Sequence, residues 1–528
     1  MDSVTAKVAA QPRARSTLWL GALLICVLFG YIYLATAWLG DDAFISMKQV
    51  WNAVHGFGFT LETGSRVQAF THPLWVLIES GLVFITRELF LTNLILSAVC
   101  AIGALALAVV IAWRSAPTRE LFCFALVPLL FLSFSQAFTD YMSSGLENPL
   151  SYLIVGLIVA GGLDRLAGEQ GPVGRPYVVA LLCSLLALTR LDLALLVAPL
   201  GLVIMLQGRQ LSRAVLVVLI AALPLIAWHG FALWYFGAPL PNTFHAKLGT
   251  GIPLADYINR GQTYLLHTIR RDNITFTLMA LAVIVGWWTY SWLLRSLMLG
   301  VILYVGYALL AGGDFMLGRS FSVPVFVSAL TLVVFFAQRL TLGRVAMLLP
   351  ISVAASAGFI PILSGPTYGP TDDFSGTTDE RGAYYQLYGL LSPVRDWPVP
   401  AIPTSAPPTE IVADCGWYGR YVLSVPERLI IDDCALGDAL LARLPAITNP
   451  NWKVGHLRRR VPEGYLDYRM GKREAVADPA LQPLVDDVAL ATRGDLFDPA
   501  RWGAIWRLNV TRPYSYDRAY FVAPKPSP

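Results

Sequence analysis

Two adjacent carboxylates, Asp41 and Asp42, stand directly after the first long apolar run of the chain. An ionised carboxylate at a membrane boundary is unfavourable unless it is hydrated or paired. Two readings stand side by side. Either the pair marks where a helix leaves the lipid, or one aspartate is a general base that takes the proton of an attacking hydroxyl while its neighbour orients the groups around it. Consecutive side chains diverge, so the two need not share a proton.

Other polar groups interrupt apolar sequence in the same abrupt way. Arg190 and Asp192 most simply pair with each other at a tight turn, and Arg190 is also a candidate for an anion because guanidinium matches phosphate geometry. His245 and Lys247 follow Pro241-Asn242, and Asp314 precedes Arg319 in a glycine-flanked polar island. Lys247 and Arg319 suit a lipid-linked phosphate, whose negative charge grows as it departs. For Lys247, snorkelling to the interface is the equal alternative. Arg66, His72 and Glu147 complete the set of polar candidates. His72, before Pro73, is either a catalytic acid or, more in keeping with a lone histidine, a structural hydrogen-bonding group.

What positions these residues follows from composition. Of 528 residues, 56% are hydrophobic and 14% charged, and the mean hydropathy is +0.58. That places the chain among membrane proteins. A net charge of +4 is too small to argue for nucleic acid. The apolar excess runs from Thr17 to Leu363, which divides the chain into a transmembrane part, residues 1–363, and a soluble part, residues 364–528.

Eleven segments read as spans: Thr17–Leu39, Thr92–Trp113, Leu121–Phe138, Pro149–Leu163, Tyr177–Thr189, Leu193–Leu206, Ala214–Phe236, Thr275–Leu294, Leu297–Ala311, Phe321–Phe336 and Val345–Ile362. The basic start (Lys7, Arg13, Arg15) without a small-residue cleavage site reads as the cytoplasmic flank of a retained first helix. Leu74–Ile85 is shorter and holds Glu79. If it does not cross, the cytoplasmic loops collect Arg114, Arg119, Arg165, Arg175, Arg209, Arg213, Arg295, Arg339 and Arg344 against only Glu120, Asp164 and Glu169. The positive-inside bias therefore makes it an interfacial or re-entrant helix. The soluble part then lies outside a bacterial cytoplasmic membrane. GDDAF, RVQAFTHP, SGLENP, LTRLD, PNTFHAK and GGDFMLGR all emerge on that same outer face.

Cys26, Cys100, Cys123 and Cys183 sit in apolar helices. Cys415 and Cys434 lie in the soluble part and can pair if it faces an oxidising compartment. There is no nucleotide-cradling glycine loop, no HExxH and no CxxC pair, and Asp41 with Asp42 offers at most a weak metal site. Nucleotide sugars are poor donors for a mouth that opens away from the cytoplasm. A transporter fits badly, because the polar residues cluster on one side and no inverted repeat is visible. A non-enzymatic scaffold or motility accessory protein remains the alternative to an enzyme.

In their order, GDDAFIS, RVQAFTHPLW, SGLENPL, LTRLD, PNTFHAK and GGDFMLGRSF resemble the GT-C membrane glycosyltransferases. They most resemble the actinobacterial terminal β-arabinofuranosyltransferase (AftB type) and its ZomB-like relatives. DERGAYY from Asp379, DALLARLPAI from Asp438 and VGHLRRRVPEGY from Val454 extend the resemblance into the soluble part. It implies a polytopic helical fold with an extracytoplasmic α/β domain. It also implies inverting transfer of a sugar, arabinofuranose first, from a polyprenyl monophosphate to an external glycan or glycoprotein, without metal or other cofactor. Another lipid-linked pentose or hexose is the runner-up. By the same resemblance Asp41 is the base, Asp42 its support, and Arg190, His245, Lys247 and Arg319 hold the donor.

Overall fold

The computed structural model describes residues 15–62, 64–163, 175–207, 211–248, 250–288, 291–357, 376–402, 410–413, 415–425, 428–447, 449 and 452–523. The expected boundary at Ser364, the end of the last expected span (358–362), and Lys7, Arg13, Asp164, Arg165, Glu169 and Arg209 lie outside them.

The N-terminal two thirds is helical. In chain order come α1 (Arg15–Thr36), α2 (Asp41–Val54), α3 (Pro73–Thr86), α4 (Phe90–Ser115), α5 (Arg119–Ala125), α6 (Val127–Leu132), α7 (Gln136–Asp140), α8 (Asn148–Gly162) and α9 (Pro176–Thr189). Then follow α10 (Ala194–Gln207), α11 (Leu211–Phe236), α12 (Asn242–Leu248), α13 (Leu254–Arg271), α14 (Asn273–Gly286), α15 (Trp292–Leu310), α16 (Ser322–Gln338), α17 (Leu342–Ala346) and α18 (Leu348–Ala357). Among the described residues, five helices, including α1, α4, α11 and α15, are each long and apolar enough to cross a bilayer, and six further apolar helices have 10–17 residues. A 22-residue helix such as α1 measures about 33 Å at 1.5 Å per residue, enough for the hydrocarbon core. The chain is a polytopic α-helical membrane protein.

α16 is the mast of the bundle. Every residue from Ser322 to Ala337 is buried, packed by α4, α5, α6, α8 and α14. Its hydroxyls stay inside the helix, where Ser328 donates to the Pro324 carbonyl at 2.8 Å and Thr331 to the Val327 carbonyl at 3.1 Å. That keeps polar atoms satisfied in an apolar interior. The outward sides of α1 and α11 instead expose Leu20, Leu23, Leu219 and Leu223.

Three segments depart from the sequence expectation. Leu121–Phe138 is not one helix but α5, α6 and the start of α7, because Pro128 removes a backbone donor and Ser135 caps a new turn at Phe138. The turn between the spans expected at Thr275–Leu294 and Leu297–Ala311 comes earlier. α14 ends at Gly286, and Ser291 caps α15 by accepting from Leu294 N, so Arg295 lies inside the first turn of α15. α13 has no counterpart among the expected elements. It carries Asp256, Arg260, Arg270 and Arg271 among apolar residues, the pattern of a helix lying along an interface. α3, with its fully buried Glu79 accepting from Asn93 at 2.9 Å, is about 21 Å long at 1.5 Å per residue.

The C-terminal part is α/β: α19 (Glu380–Tyr388), β1 (Glu410–Ala413), α20 (Tyr418–Ser424), β2 (Arg428–Ile431), α21 (Tyr465–Arg469), α22 (Gln482–Arg493), α23 (Pro499–Trp506) and α24 (Arg518–Val522). β1 pairs in parallel with β2 across α20, Glu410 opposite Arg428. Its core of Leu441, Leu444, Leu481, Leu484, Ile505 and Leu508 is separate from that of the bundle. Polar stitches join the two. Asn242 donates to the carbonyls of Ala435 and Leu436 at 2.9 and 3.0 Å. The buried Arg459 donates to Ala246 O at 2.6 Å and Leu444 O at 2.8 Å. Cys415 and Cys434 form a disulfide.

Candidate functional site

Between bundle and C-terminal part, the polar motifs build two neighbouring centres. The first surrounds Glu147, which is wholly buried. Its loop fits beneath α2 only because Gly145 takes φ +81°, where a side chain would meet Ala43 at 2.5 Å. His72 Nδ1 lies 3.0 Å from one carboxylate oxygen, and the other faces Arg319 at 3.4 Å and Arg190 at 3.8 Å. Burial acts to raise the Glu147 pKa, but Arg319, His72 and Arg190 outweigh it and hold the group below the usual carboxylate range. The far nitrogen of His72 is hydrogen-bonded with Ser46 Oγ at 2.9 Å. Arg190 makes a two-pronged pair with Asp192 at 3.0 and 2.6 Å, and Tyr304 donates to the same carboxylate.

The second centre is the start of α2. Asp41 is 8% exposed and accepts from the backbone amides of Gly419 and Arg420, one per oxygen, at 2.9 Å each. It thereby caps α20. Contact this close needs glycine at 419, since a Cβ there would stand 1.9 Å from the Asp41 carbonyl oxygen. Burial pushes the Asp41 carboxyl up to about 6, against the two amide hydrogen bonds and with Asp42 adding to the rise. Asp42 is more open, its side chain 29% exposed, and it faces Arg319 Nη1 at 3.9 Å. Arg319 therefore joins the two centres.

Lys247 and Asp314 lie close to the Phe315–His456 contact. A Cβ on Gly455 would lie 3.9 Å from Lys247 Cε and 3.3 Å from the Phe315 ring. His456 packs edge-on against Phe315 with centroids 4.5 Å apart. Burial pushes the His456 imidazolium down, and Asp42, Lys453 and Lys247 are close enough to act on it. Asp314 Oδ1 accepts from Met316 N at 3.4 Å and acts on Arg319 and Glu380.

Two sequence candidates stand apart. Arg66 donates to the carbonyls of Tyr235, at 3.1 Å, and Gly494, so it ties the loop before α3 to α11 and to the end of α22. His245 faces Arg443 and Arg512. Burial first, then those two cations, push its pKa to about 3, so the ring is neutral at physiological pH.

The DERGAYY helix supplies groups to which no role was assigned from sequence. Asp379 caps α19 at Gly382 and accepts from Gln136 at 2.7 Å. The buried Arg381 pairs with Asp140 at 2.9 Å. Glu380 is pushed well above its usual range by burial, then by Asp42, Asp41, Asp314 and Asp379. One turn on, Tyr384 meets Trp417 edge-on at 5.5 Å. The available signal was an acid followed by paired tyrosines at helical spacing, which only docking against Asp41 and Asp42 endows with meaning.

An apolar cavity of about 470 Å³ lies beside this region, lined by Val54 and Phe59 near α2, Ser80 and Phe84 of α3, and Phe231 and Trp234 of α11. Phe59 meets Phe70 at 6.3 Å, and Phe70 meets His72 at 6.3 Å. An aromatic path thus leads from the cavity to the Glu147 centre. A separate convergence of Cys415, Asp432, Asp433 and Cys434 has metal-like spacing. Its sulfurs are spent on the disulfide, and Asp432 accepts from the amides of Cys434, Leu436 and Gly437.

These features define a polytopic membrane protein whose charged motifs gather where its α/β C-terminal part meets the helical bundle. No family model matches the chain. It is 28% identical over 264 residues to the terminal β-(1→2)-arabinofuranosyltransferase of Mycobacterium tuberculosis, covering 48% of this chain and 41% of that protein. To the protein of the same name from Corynebacterium glutamicum it is 26% identical over 335 residues, covering 55% and 46%. The chain thus spans under half the length of these curated relatives, and the resemblance read from the motifs extends over long segments. Two crystal structures of an Archaeoglobus fulgidus oligosaccharyltransferase, one with zinc and sulfate and one apo, align over 78% and 79% of this chain and 62% and 64% of theirs. Their TM-scores are 0.39 and 0.41, at 14% identity.

Proposed function

We propose that the protein is a glycosyltransferase that moves a sugar, arabinofuranose first, from a polyprenyl monophosphate to a glycan or glycoprotein outside the cytoplasmic membrane. The observation that carries this reading is the adjacent carboxylate pair, in which Asp41 is fixed by the Gly419 and Arg420 amides and Asp42 faces the Arg319 guanidinium. The apolar cavity nearby is of a size for part of a polyprenyl tail, and the relatives' names agree with the sugar chemistry.

In this mechanism the acceptor hydroxyl attacks the anomeric carbon from the face opposite the phosphate. The new C–O bond forms as the bond to the phosphate oxygen breaks, inverting the centre, and polyprenyl phosphate leaves. Asp41 takes the hydroxyl proton. Its two amide hydrogen bonds fix the carboxylate and leave a second lone pair on each oxygen. A pKa of about 6 lies near working pH, where a general base is most effective. Arg319 and Lys247 meet the charge that grows on the phosphate, with Asp42 orienting Arg319. Arg190 acts behind Arg319 through Glu147, whereas His245, beside Arg443 and Arg512, stands apart from the reacting groups.

A second reading is favoured by exposure: Asp42 is the base and Asp41 solely anchors α20. The test is to offer the purified full chain synthetic polyprenyl phosphates carrying arabinofuranose, ribose, mannose or aminoarabinose, with an oligosaccharide acceptor. Release of polyprenyl phosphate with one of them is the expected result. No consumption of any donor, with the fold intact, overturns the enzyme reading and favours a scaffold.

A further inference from the structure

Trp417 is 42% exposed and holds a left-handed backbone conformation, φ 56°, which bulky residues avoid. The strain is held from both sides. Two residues before it Cys415 is bonded to Cys434, and two and three residues after it the amides of Gly419 and Arg420 are bound by Asp41. Its ring stands perpendicular to Tyr384 at 5.5 Å and near-perpendicular to Tyr388 at 6.3 Å. Tyr384 and Tyr388 are stacked at 5.7 Å. The result is a rigid aromatic corner with one ring reaching into solvent.

The surroundings of this corner are anionic and polar. Tyr384 is close enough to Glu380, Asp41 and Asp42 for all three to act on it. The nearby cation, Arg420, is paired with Asp396 at 2.6 Å and lies over the Tyr388 ring. Such a surface repels a lipid phosphate, since the carboxylates act on Tyr384, the ring that Trp417 meets edge-on. It suits a neutral polyhydroxylated ring, whose C–H face packs on an aromatic plane while its hydroxyls reach carboxylate oxygens.

From this juxtaposition we infer that Trp417 and Tyr384 form the platform for the acceptor sugar, separate from the cationic side of the cleft that meets the donor phosphate. The inference rests on the transferase reading and names where its second substrate sits. Asp41 doubles as the positioning residue of the platform, since the carboxylate that would take the acceptor proton also holds the loop on which the acceptor ring stacks.

The test uses the full chain in nanodiscs with two probes, a synthetic hexa-arabinofuranoside and a mannopentaose, read by saturation-transfer NMR. Transfer kinetics are measured in parallel. Wild type is expected to pass saturation to the ring protons of at least one probe. Trp417→Ala is expected to lose about tenfold in acceptor affinity and to raise acceptor KM about tenfold, the change expected for one lost stacking contact, with donor KM unchanged. Trp417→Phe keeps most of the binding, which separates stacking from folding. Equal binding by wild type and Trp417→Ala overturns the platform, as does absence of binding by wild type to both probes. Trp417-dependent binding with no release of polyprenyl phosphate from any donor retains the platform and rejects the transferase.

Discussion

The Glu147 centre and the Asp41-Asp42 rim lie side by side and share Arg319, yet they are built on opposite principles. Around Glu147 the charges are buried and closed on one another: His72 on one oxygen, Arg190 and Arg319 on the other, with Asp192 holding Arg190 from behind. At the rim the carboxylates outnumber their cations, Asp42 is partly open, and Glu380 is crowded by like charge. A closed network holds geometry, whereas an open one has lone pairs left for a substrate. Both were conspicuous polar motifs in an apolar chain, and how their charges are paired separates their roles.

The largest effect that can break this contrast is at Asp41. Asp41→Asn is expected to reduce kcat by about 10²–10⁴, the usual contribution of a general base, with Asp42→Asn falling by about tenfold through the loosened Arg319. Single-turnover assays with the preferred donor decide it, and the reverse order assigns the base to Asp42. Next is Glu147→Gln, which leaves Arg319 and Arg190 buried without their shared anion. It is expected to cost about 3–5 kcal/mol, seen as a lowered apparent Tm in detergent. An unchanged Tm makes the centre a binding site rather than a frame.

The Cys415–Cys434 disulfide sharpens the rim side of the comparison. Its partners are 19 residues apart, and opening a loop of that size removes about 3 kcal/mol. Reduction, or Cys434→Ala, should lower the apparent Tm and weaken acceptor binding while donor binding persists. The smallest effect concerns pH. Glu380 titrates higher folded than unfolded, so its stabilising contribution is full below the unfolded carboxyl pKa and is lost as pH rises through the folded one. The apparent Tm should fall as pH rises above the unfolded carboxyl range. Glu380→Gln should flatten that fall, and an equal slope in both proteins removes Glu380 as its source.

Much of this was legible beforehand. Arg190 and Asp192 pair at their turn as two opposite charges two residues apart in lipid must, and Cys415 meets Cys434. Helix ends were less legible. The turn after α14 is set by Gly286 and the Ser291 cap, signals that an uninterrupted run of apolar residues hides. α13 escaped notice because its charges lower its hydropathy although its apolar face packs on α15.

By itself, then, the sequence determined a multi-pass helical bundle, since 56% hydrophobic residues in long runs leave the backbone no other way to satisfy its polar groups in lipid. It also determined which charges would be conspicuous there. Only the tertiary structure decided which of them close on each other and which stay open. That Asp41 grips the amides of Gly419 and Arg420, 378 and 379 residues away, depends on how the C-terminal domain docks. Docking is fixed by shape and packing between distant segments, which no local spacing encodes.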